Sequence, residues 1–455
     1  MLERACTRVR AGLRKLADTR AELVGFVRLL RNSKVTYEKI VAAATKRAAE
    51  AVAGRHVLLI EDTSEINYEA KRGRKRGLGR VCNGTDVGLF VHPTIAVDAE
   101  DGSVLGLAAA RIWRRIKTKS PTYQADPIET KESYRWIETV VQAKVALPLA
   151  ARTTVVADRE ADIFELMARL PAAGIDLVIR AHHDRALTGR SRTKTAGPAA
   201  RLLEVIAAWP QAGQISLDLP ARTGRPARRL DLAVRFGAVT LHQPRRGADP
   251  RDPASVTLNV VEVQEIDPPL VPGKAKAEAI VWRLLTTHAV TTLQQAYDIV
   301  ELYRRRWTIE QVFRTLKSQA IDLEDSLLAE GDALERLAAT ALSAAIIVMQ
   351  LVSARGEAGQ GLPASRVFDK DEITVLHALT PRFEGKTQKQ KNPHPSESLA
   401  WAAWHIARMG GWTGYASERP PGPITFADGL KRFFAIAEGF AIAIATHSSK
   451  DVCRH

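Results

Sequence analysis

Tyr303, Arg306, Glu310 and Lys317 stand in the run YRRRWTIEQVFRTLK. At roughly 100° per residue, a helix through this run gathers all four within about a 60° arc. One face then offers a phenol, a guanidinium, a carboxylate and an ammonium over about four turns. A carboxylate can hold a divalent metal, and the cations and phenol can grip phosphate oxygens beside it. That set suits chemistry on a nucleic-acid backbone. Two further carboxylates complete it. Asp62 lies in HVLLIEDTSE and Asp158 in TTVVADREAD, each after a short aliphatic and β-branched run that reads as a buried strand. Open sheets place their sites at the carboxyl ends of strands. Two strand-end aspartates and a helical glutamate make a two-metal site, the kind that clamps the attacking and leaving oxygens of a phosphodiester displacement.

The elements that must position these groups follow from the hydrophobic pattern. LRKLADTRAELVGFVRLLRN and VTYEKIVAAATKRAAEAVAG read as two helices, the second stopped by Gly54. HVLLI, VGLFVHPTIAVD and SVLGLAAARIW read as strands, with Asp101-Gly102 as a hairpin turn between the last two. AKRGRKRGLGR, after Asp62, reads as a basic loop that is mobile without a ligand, either an ordinary solvated loop or an arm that tracks phosphates. A helix over about 129–147 comes next, then strand TTVVAD, helix ADIFELMARL and strand DLVIRA. Three strands, a helix, then alternating strand and helix is the order of a ribonuclease-H-like fold. From about 190 to 280, short alternating segments between Pro, Gly and Arg clusters read as an inserted antiparallel sheet. WRLLTTH is a further strand, and TLQQAYDIVELYRRRWTIEQVFRTLKSQ reads as one long helix. The division expected is a helical N-terminal region (1–50), an α/β catalytic domain with the β insertion (51–355), a basic linker (356–395) and a C-terminal helical dimerisation region (396–455).

Composition agrees with a nucleic-acid partner. The 455 residues carry a formal net charge of +15, with a pI near 9.8, and so basic a surface favours a polyanion. Cys6, Cys82 and Cys453 lie far apart, without metal-binding spacing or an even disulfide count, which points to a reduced, cytoplasmic setting. MLERACTRVRAGLRK gives no apolar signal region. LAATALSAAIIVMQLVSA, at 337–354, contains Gln350 and several Ser and Thr residues, and reads as a buried core helix rather than a membrane span.

With these motifs placed, the chain resembles the DDE transposases of the insertion-sequence-four group, the transposon-five transposase among them. That group's signature (Tyr, two residues, Arg, three residues, Glu, six residues, Lys) is complete as Tyr303, Arg306, Glu310 and Lys317. The match extends to IEDTS, VADREADI, KESYRW and VIRAHH. The resemblance implies a catalytic triad of Asp62, Asp158 and Glu310 holding two Mg²⁺ or Mn²⁺ ions. It implies phosphate contacts from Tyr303, Arg306 and Lys317, a flipped base stacked on Trp282, and a DNA contact from Arg180. Transposon-end and target DNA are the implied partners, in a homodimeric synaptic complex in the bacterial cytoplasm, associated with the nucleoid. The implied chemistry is nicking, hairpin formation and strand transfer. Thr63 and Ser64 are expected as turn residues or supporting donors.

The group's end-recognition region is longer than the 61 residues before Asp62. The alternative expectation is therefore an N-terminally shortened, non-enzymatic inhibitor that dimerises with full-length transposase. A third is a nuclease of ribonuclease-H-like fold that makes no joined products.

Overall fold

The aliphatic runs form strands because both their faces are covered. In β1 (His56–Glu61), Leu58 and Ile60 point into one core, and Val57 and Leu59 into a second on the other side of the sheet. Both faces of such a strand must be apolar. The computed structural model describes residues 19–82, 84–115, 123, 125–187, 200–219, 227–244, 248–268, 279–317, 323–415 and 417–451. The first 18 residues of the expected N-terminal region lie outside that range.

Helices α1 (Arg20–Arg31) and α2 (Tyr37–Ala51) are capped by Thr19 and Thr36 and precede β1. The next strands are β2 (Ser64–Asn67), β3 (Gly79–Val81), β4 (Asp86–Asp98) and β5 (Val104–Trp113). The β4–β5 hairpin turns at Asp101-Gly102, where Gly102 has φ of 78°, a conformation that glycine adopts without steric cost. Gly106 is needed for packing: a Cβ there would come within 2.7 Å of Ala48 on α2. Helix α3 (Arg135–Ala146) then leads to β6 (Arg152–Ala157), α4 (Phe164–Ala172) and β7 (Asp176–Arg180). The helix expected from 129 begins at Arg135, because two short 3-10 turns occupy 128–134.

After α5 (Leu202–Ala208) come β8 (Gly213–Leu219), β9 (Arg228–His242), β10 (Ser255–Glu265) and β11 (Val281–Thr286). The strands form one large, mostly antiparallel sheet in a mixed α/β fold, in the order β2-β4-β1-β6-β7-β11-β10-β9-β8, with β3 and β5 also paired to β4. Among the described strands, only β1–β6 and β6–β7 pair in parallel. The insertion is thus no separate sheet. Antiparallel pairing of β11 with β7 (Leu285 opposite Ile179) carries the central sheet straight into it. RRLDLAVRF and AVTLH, from two of the short segments within 190–280, form a single strand, β9, and Gly237 between them lies so close to the Trp209 indole that a Cβ would meet it at 2.8 Å.

The long helix expected before 318 is two helices, α6 (Leu293–Arg304) and α7 (Trp307–Lys317). A capping box between Thr292 and Gln295 starts α6. Helix α8 (Gly331–Ala354) is apolar and long enough to cross a membrane, but 89% of its most apolar window is buried inside the protein. It packs on β5, α2 and α7, and its Gln350 donates to the Leu105 carbonyl at 3.0 Å, which satisfies the buried amide. Residues 356–395, expected as linker, contain α9 (Lys370–Phe383), begun by an Asp369–Glu372 capping box and buried through Val375 and Leu376. Helices α10 (Leu399–Met409) and α11 (Pro423–Asp451) complete the chain. The basic loop after β2 is also built structure, with a 3-10 helix over Glu69–Arg74 followed by β3. Lys71 donates to the Glu324 carbonyl, and Lys75 to those of Ser326 and Leu328. These contacts tie the loop to the segment before α8.

Candidate active site

Parallel pairing sets Ile60 opposite Val156, so Asp62 and Asp158 leave adjacent strands at the same level. The two turns treat their aspartates alike. Asp62 Oδ1 accepts the next backbone N–H, from Thr63, at 2.7 Å, and Asp158 Oδ1 accepts that of Arg159 at 2.7 Å. Each Oδ2 faces Arg306. Its Nη1 lies 3.1 Å from Asp62 Oδ2, and its Nη2 lies 3.8 Å from Asp158 Oδ2 and 2.7 Å from Glu310 Oε1. Three acidic side chains from β1, β6 and α7 therefore meet on one guanidinium. The Arg306 side chain is 6% exposed, against 24%, 32% and 33% for Asp62, Asp158 and Glu310. The arginine sits beneath and the carboxylates open outward.

The helix break makes this possible. Arg305 and Arg306 lie outside both helices. Arg305 turns to the carbonyls of Asp98 and Glu100 at 2.7 Å each, while Arg306 turns into the carboxylates. Tyr303, at the end of α6, is buried and sends its hydroxyl to Asp158 Oδ1 at 3.4 Å. Arg180, ending β7, donates to the Val281 carbonyl at 3.2 Å and lies 3.9 Å from Asp158. Trp282 is 8% exposed and meets Tyr303 edge-on at 5.5 Å between ring centroids. Lys317 ends α7, about two turns beyond Glu310. Among the described residues it makes none of these carboxylate contacts.

Burial pushes the Asp62 carboxyl up to about 6, against the downward pull of Arg306. It also raises the Tyr303 phenol, with Asp158 adding to the effect. For Arg306, burial opposes the charge, but Tyr303 and the three carboxylates together hold its pKa above the ordinary guanidinium value. The Arg306 Nε is buried without a hydrogen-bond partner.

Beside the cluster lies a cleft of about 980 Å³. Its lining includes Arg159, Arg180, Arg283, Arg304 and Arg305, two carboxylates (Asp218 and Glu301), and the indoles of Trp282 and Trp307. A cleft rich in arginine focuses an attractive potential on anions.

Behind Asp62 is a buried network that sequence reasoning did not identify. Glu61 is fully buried, accepts from Thr139 at 3.0 Å and Thr94 at 3.4 Å, and lies 3.4 Å from His92. Burial drives the Glu61 carboxyl well up and the His92 imidazole well down. The Thr63 hydroxyl joins His92 at 2.9 Å and accepts from Arg135 at 2.9 Å, which in turn pairs with Glu160 at 2.7 Å. Asp162 ties the turn after β6 to that after β7. It accepts from the backbone of His182 and His183 and pairs with Arg185 at 2.6 Å. Asp162 and Arg135 lie in VADREADI and KESYRW, so a signal was present, but their partners were not legible.

Three carboxylates offer hard oxygen donors, the chemistry that Mg²⁺ and Mn²⁺ take. Asp62, Asp158 and Glu310 could offer such donors. In the present arrangement the guanidinium stands among them, and among the described residues no three acidic, histidine or cysteine side chains are placed to hold a metal directly.

Residues 137–347 match the family described as the transposase DDE domain, and the match supports a DDE transposase. Asp158 and Glu310 fall inside that span and Asp62 before it. Among solved structures, the cryo-EM structure of the piggyBac transposase synaptic complex with hairpin DNA is similar at a TM-score of 0.33 and 9% identity, over 68% of this chain. This chain spans 50% of that protein's length. A likeness at that score carries no weight in assigning the activity.

Proposed function

We propose that this chain is a metal-dependent cut-and-paste DNA transposase of the insertion-sequence-four group, in which Asp62, Asp158 and Glu310 are the catalytic carboxylates. One observation carries the reading: the three converge on Arg306 from two adjacent strand ends and a helix. The strand order β5-β4-β1-β6-β7, with both aspartates at carboxyl ends of the central strands, supports a ribonuclease-H-like core.

Two divalent ions held there would supply Lewis-acid activation of the attacking and leaving oxygens. The remaining work falls to the chain. Arg306, Lys317, Arg180 and Tyr303 bind and orient phosphates of the transposon end, and the cations favour the extra negative charge of the transition state. Trp282 receives an unstacked base, once it parts from Tyr303, because an aromatic face accepts any base. Water nicks one strand, and the freed 3′-hydroxyl attacks the opposite strand to close a hairpin. A second water opens the hairpin, and the 3′-hydroxyl then attacks target DNA. No covalent enzyme intermediate is required. Helix α11 exposes Ile436, Phe440, Ile442 and Ile444, which supports a homodimer formed through this helix. The working place of such a protein is the cytoplasm, on the nucleoid.

The test is an assay on linear DNA carrying the element's terminal repeats, with Mg²⁺. Nicked, hairpin and joined products are expected, and all are lost in Asp62→Ala, Asp158→Ala and Glu310→Ala proteins that remain folded. Cleavage persisting in any of the three contradicts the assignment. Cleavage without joined products makes the protein a nuclease instead.

A further inference from the structure

Arg306 makes the same contacts that a cation held by the three carboxylates would make. Its Nη1 and Nη2 reach Asp62, Asp158 and Glu310 at 3.1, 3.8 and 2.7 Å. It is not a surface arginine that has folded inward at random. Its side chain is almost wholly buried, its backbone sits in the break between α6 and α7, and its guanidinium lies 5.9 Å from the Tyr303 ring and 5.7 Å from that of Trp307. The surrounding fold specifies that position.

Three carboxylates outnumber the one guanidinium, so the guanidinium only partly neutralises the cluster, which still attracts a divalent cation. Full oxygen coordination requires those oxygens to leave the guanidinium. A displaced buried guanidinium needs another anion, because an unpaired buried charge is costly. The arginine-rich cleft beside it is where a phosphate would lie, and guanidinium is a strong phosphate donor.

We infer that Arg306 couples DNA binding to metal loading: it neutralises the three carboxylates in the DNA-free protein and releases them to divalent cations when a DNA phosphate takes its guanidinium. This rests on the metal-dependent reading of the site. It adds that the DNA-free protein is held in a low-affinity state for metal, which restrains cleavage away from bound DNA. The coupling is reciprocal, so metal tightens DNA by the factor by which DNA tightens metal.

The experiment is Mn²⁺ titration by calorimetry, with and without a short blunt DNA duplex, on the wild-type chain and on Arg306→Gln and Arg306→Lys. Arg314→Gln, an exposed arginine on α7, controls for net charge. In the wild type and the control, DNA tightens Mn²⁺ at least about fivefold, the lower end of ordinary coupling. Arg306→Gln binds Mn²⁺ tightly without DNA and gains less than about twofold from it. Arg306→Lys falls between, since an ammonium cannot span three carboxylates. If Arg306→Gln fails to fold, the wild-type comparison and Arg306→Lys decide the matter. Equal wild-type affinity with and without DNA overturns the inference, as does unchanged coupling in a folded Arg306→Gln. No saturable Mn²⁺ binding in any arm overturns the metal-dependent reading and this inference with it.

Discussion

Replacing Asp162 by Asn tests whether the two site-bearing turns are held together by one buried charge. The Asp162 side chain is 0% exposed. Oδ2 accepts the backbone N–H groups of His182 and His183 at 2.7 and 2.8 Å, and Oδ1 accepts Arg185 Nε and Nη2 at 2.9 and 2.6 Å. Four donors thus converge on one carboxylate. An amide keeps the shape but turns an NH₂ against a donor and strands the Arg185 charge. Breaking a buried pair from one side costs about 3–5 kcal/mol. We expect a loss in that range in urea unfolding followed by circular dichroism. Converting Arg185 to Leu in the same chain should recover about 1 kcal/mol or more, by removing the stranded charge. Because Asp162 lies four residues beyond Asp158, Mn²⁺ affinity should fall as well. A loss below about 1 kcal/mol for Asp162→Asn would refute the argument, since that is the range of an exposed pair such as Arg31–Glu330.

Three further outcomes are expected from the same structure. His405 is fully buried, and burial, with His377 and Arg408 nearby, lowers its pKa to about 4. The unfolded chain takes the proton near 6.5 and the folded chain only near 4, so the contribution to stability is complete above the higher value and lost as pH falls towards the lower. The gap corresponds to up to about 3 kcal/mol, and unfolding midpoints of His405→Gln should fall less than those of the wild type between about pH 7 and 4.5; parallel curves would count against it. Trp282→Ala should reduce hairpin formation more than first-strand nicking on end-labelled DNA, by about 1–3 kcal/mol, the worth of a base–aromatic stack, whereas equal loss of both indicates packing alone. Phe440→Asp should shift the protein from dimer to monomer in sedimentation while leaving its far-UV circular dichroism spectrum unchanged; an unchanged sedimentation coefficient removes α11 as the contact.

Much of the core was legible because its signals are local. The runs VLLI, TVVA and LVI carry apolar residues on both faces, as central strands with covered faces must, and Asp101-Gly102 specifies its own turn. That Asp62 and Asp158 stand at carboxyl ends of strands was legible in the apolar runs before them, whereas the parallel pairing that sets them side by side was not. The helix break did not, because YRRRW contains no glycine or proline. Tertiary charge wins there: Arg305 is drawn to two carbonyls and Arg306 to three carboxylates, and these contacts outweigh helix propensity. The supporting charges were hidden for a related reason. Glu61, Arg135 and Asp162 depend on partners distant in sequence, such as Glu61 with Thr139 and Arg135 with Thr63. The continuous sheet was missed because nothing in WRLLTTH names β7 as its neighbour. Residues 356–395 read as linker through their basic and proline-containing end, although Asp369 and Glu372 spell a capping box that could have marked α9.

The central claim is that Asp62, Asp158 and Glu310 share divalent cations once DNA is bound. Anomalous diffraction at the manganese edge, from crystals of the chain with duplex DNA and Mn²⁺, addresses it most directly. The account predicts anomalous peaks bonded to oxygens of all three side chains, with Arg306 turned to a phosphate. Peaks elsewhere, or an intact Arg306–carboxylate cluster at saturating Mn²⁺, would contradict it.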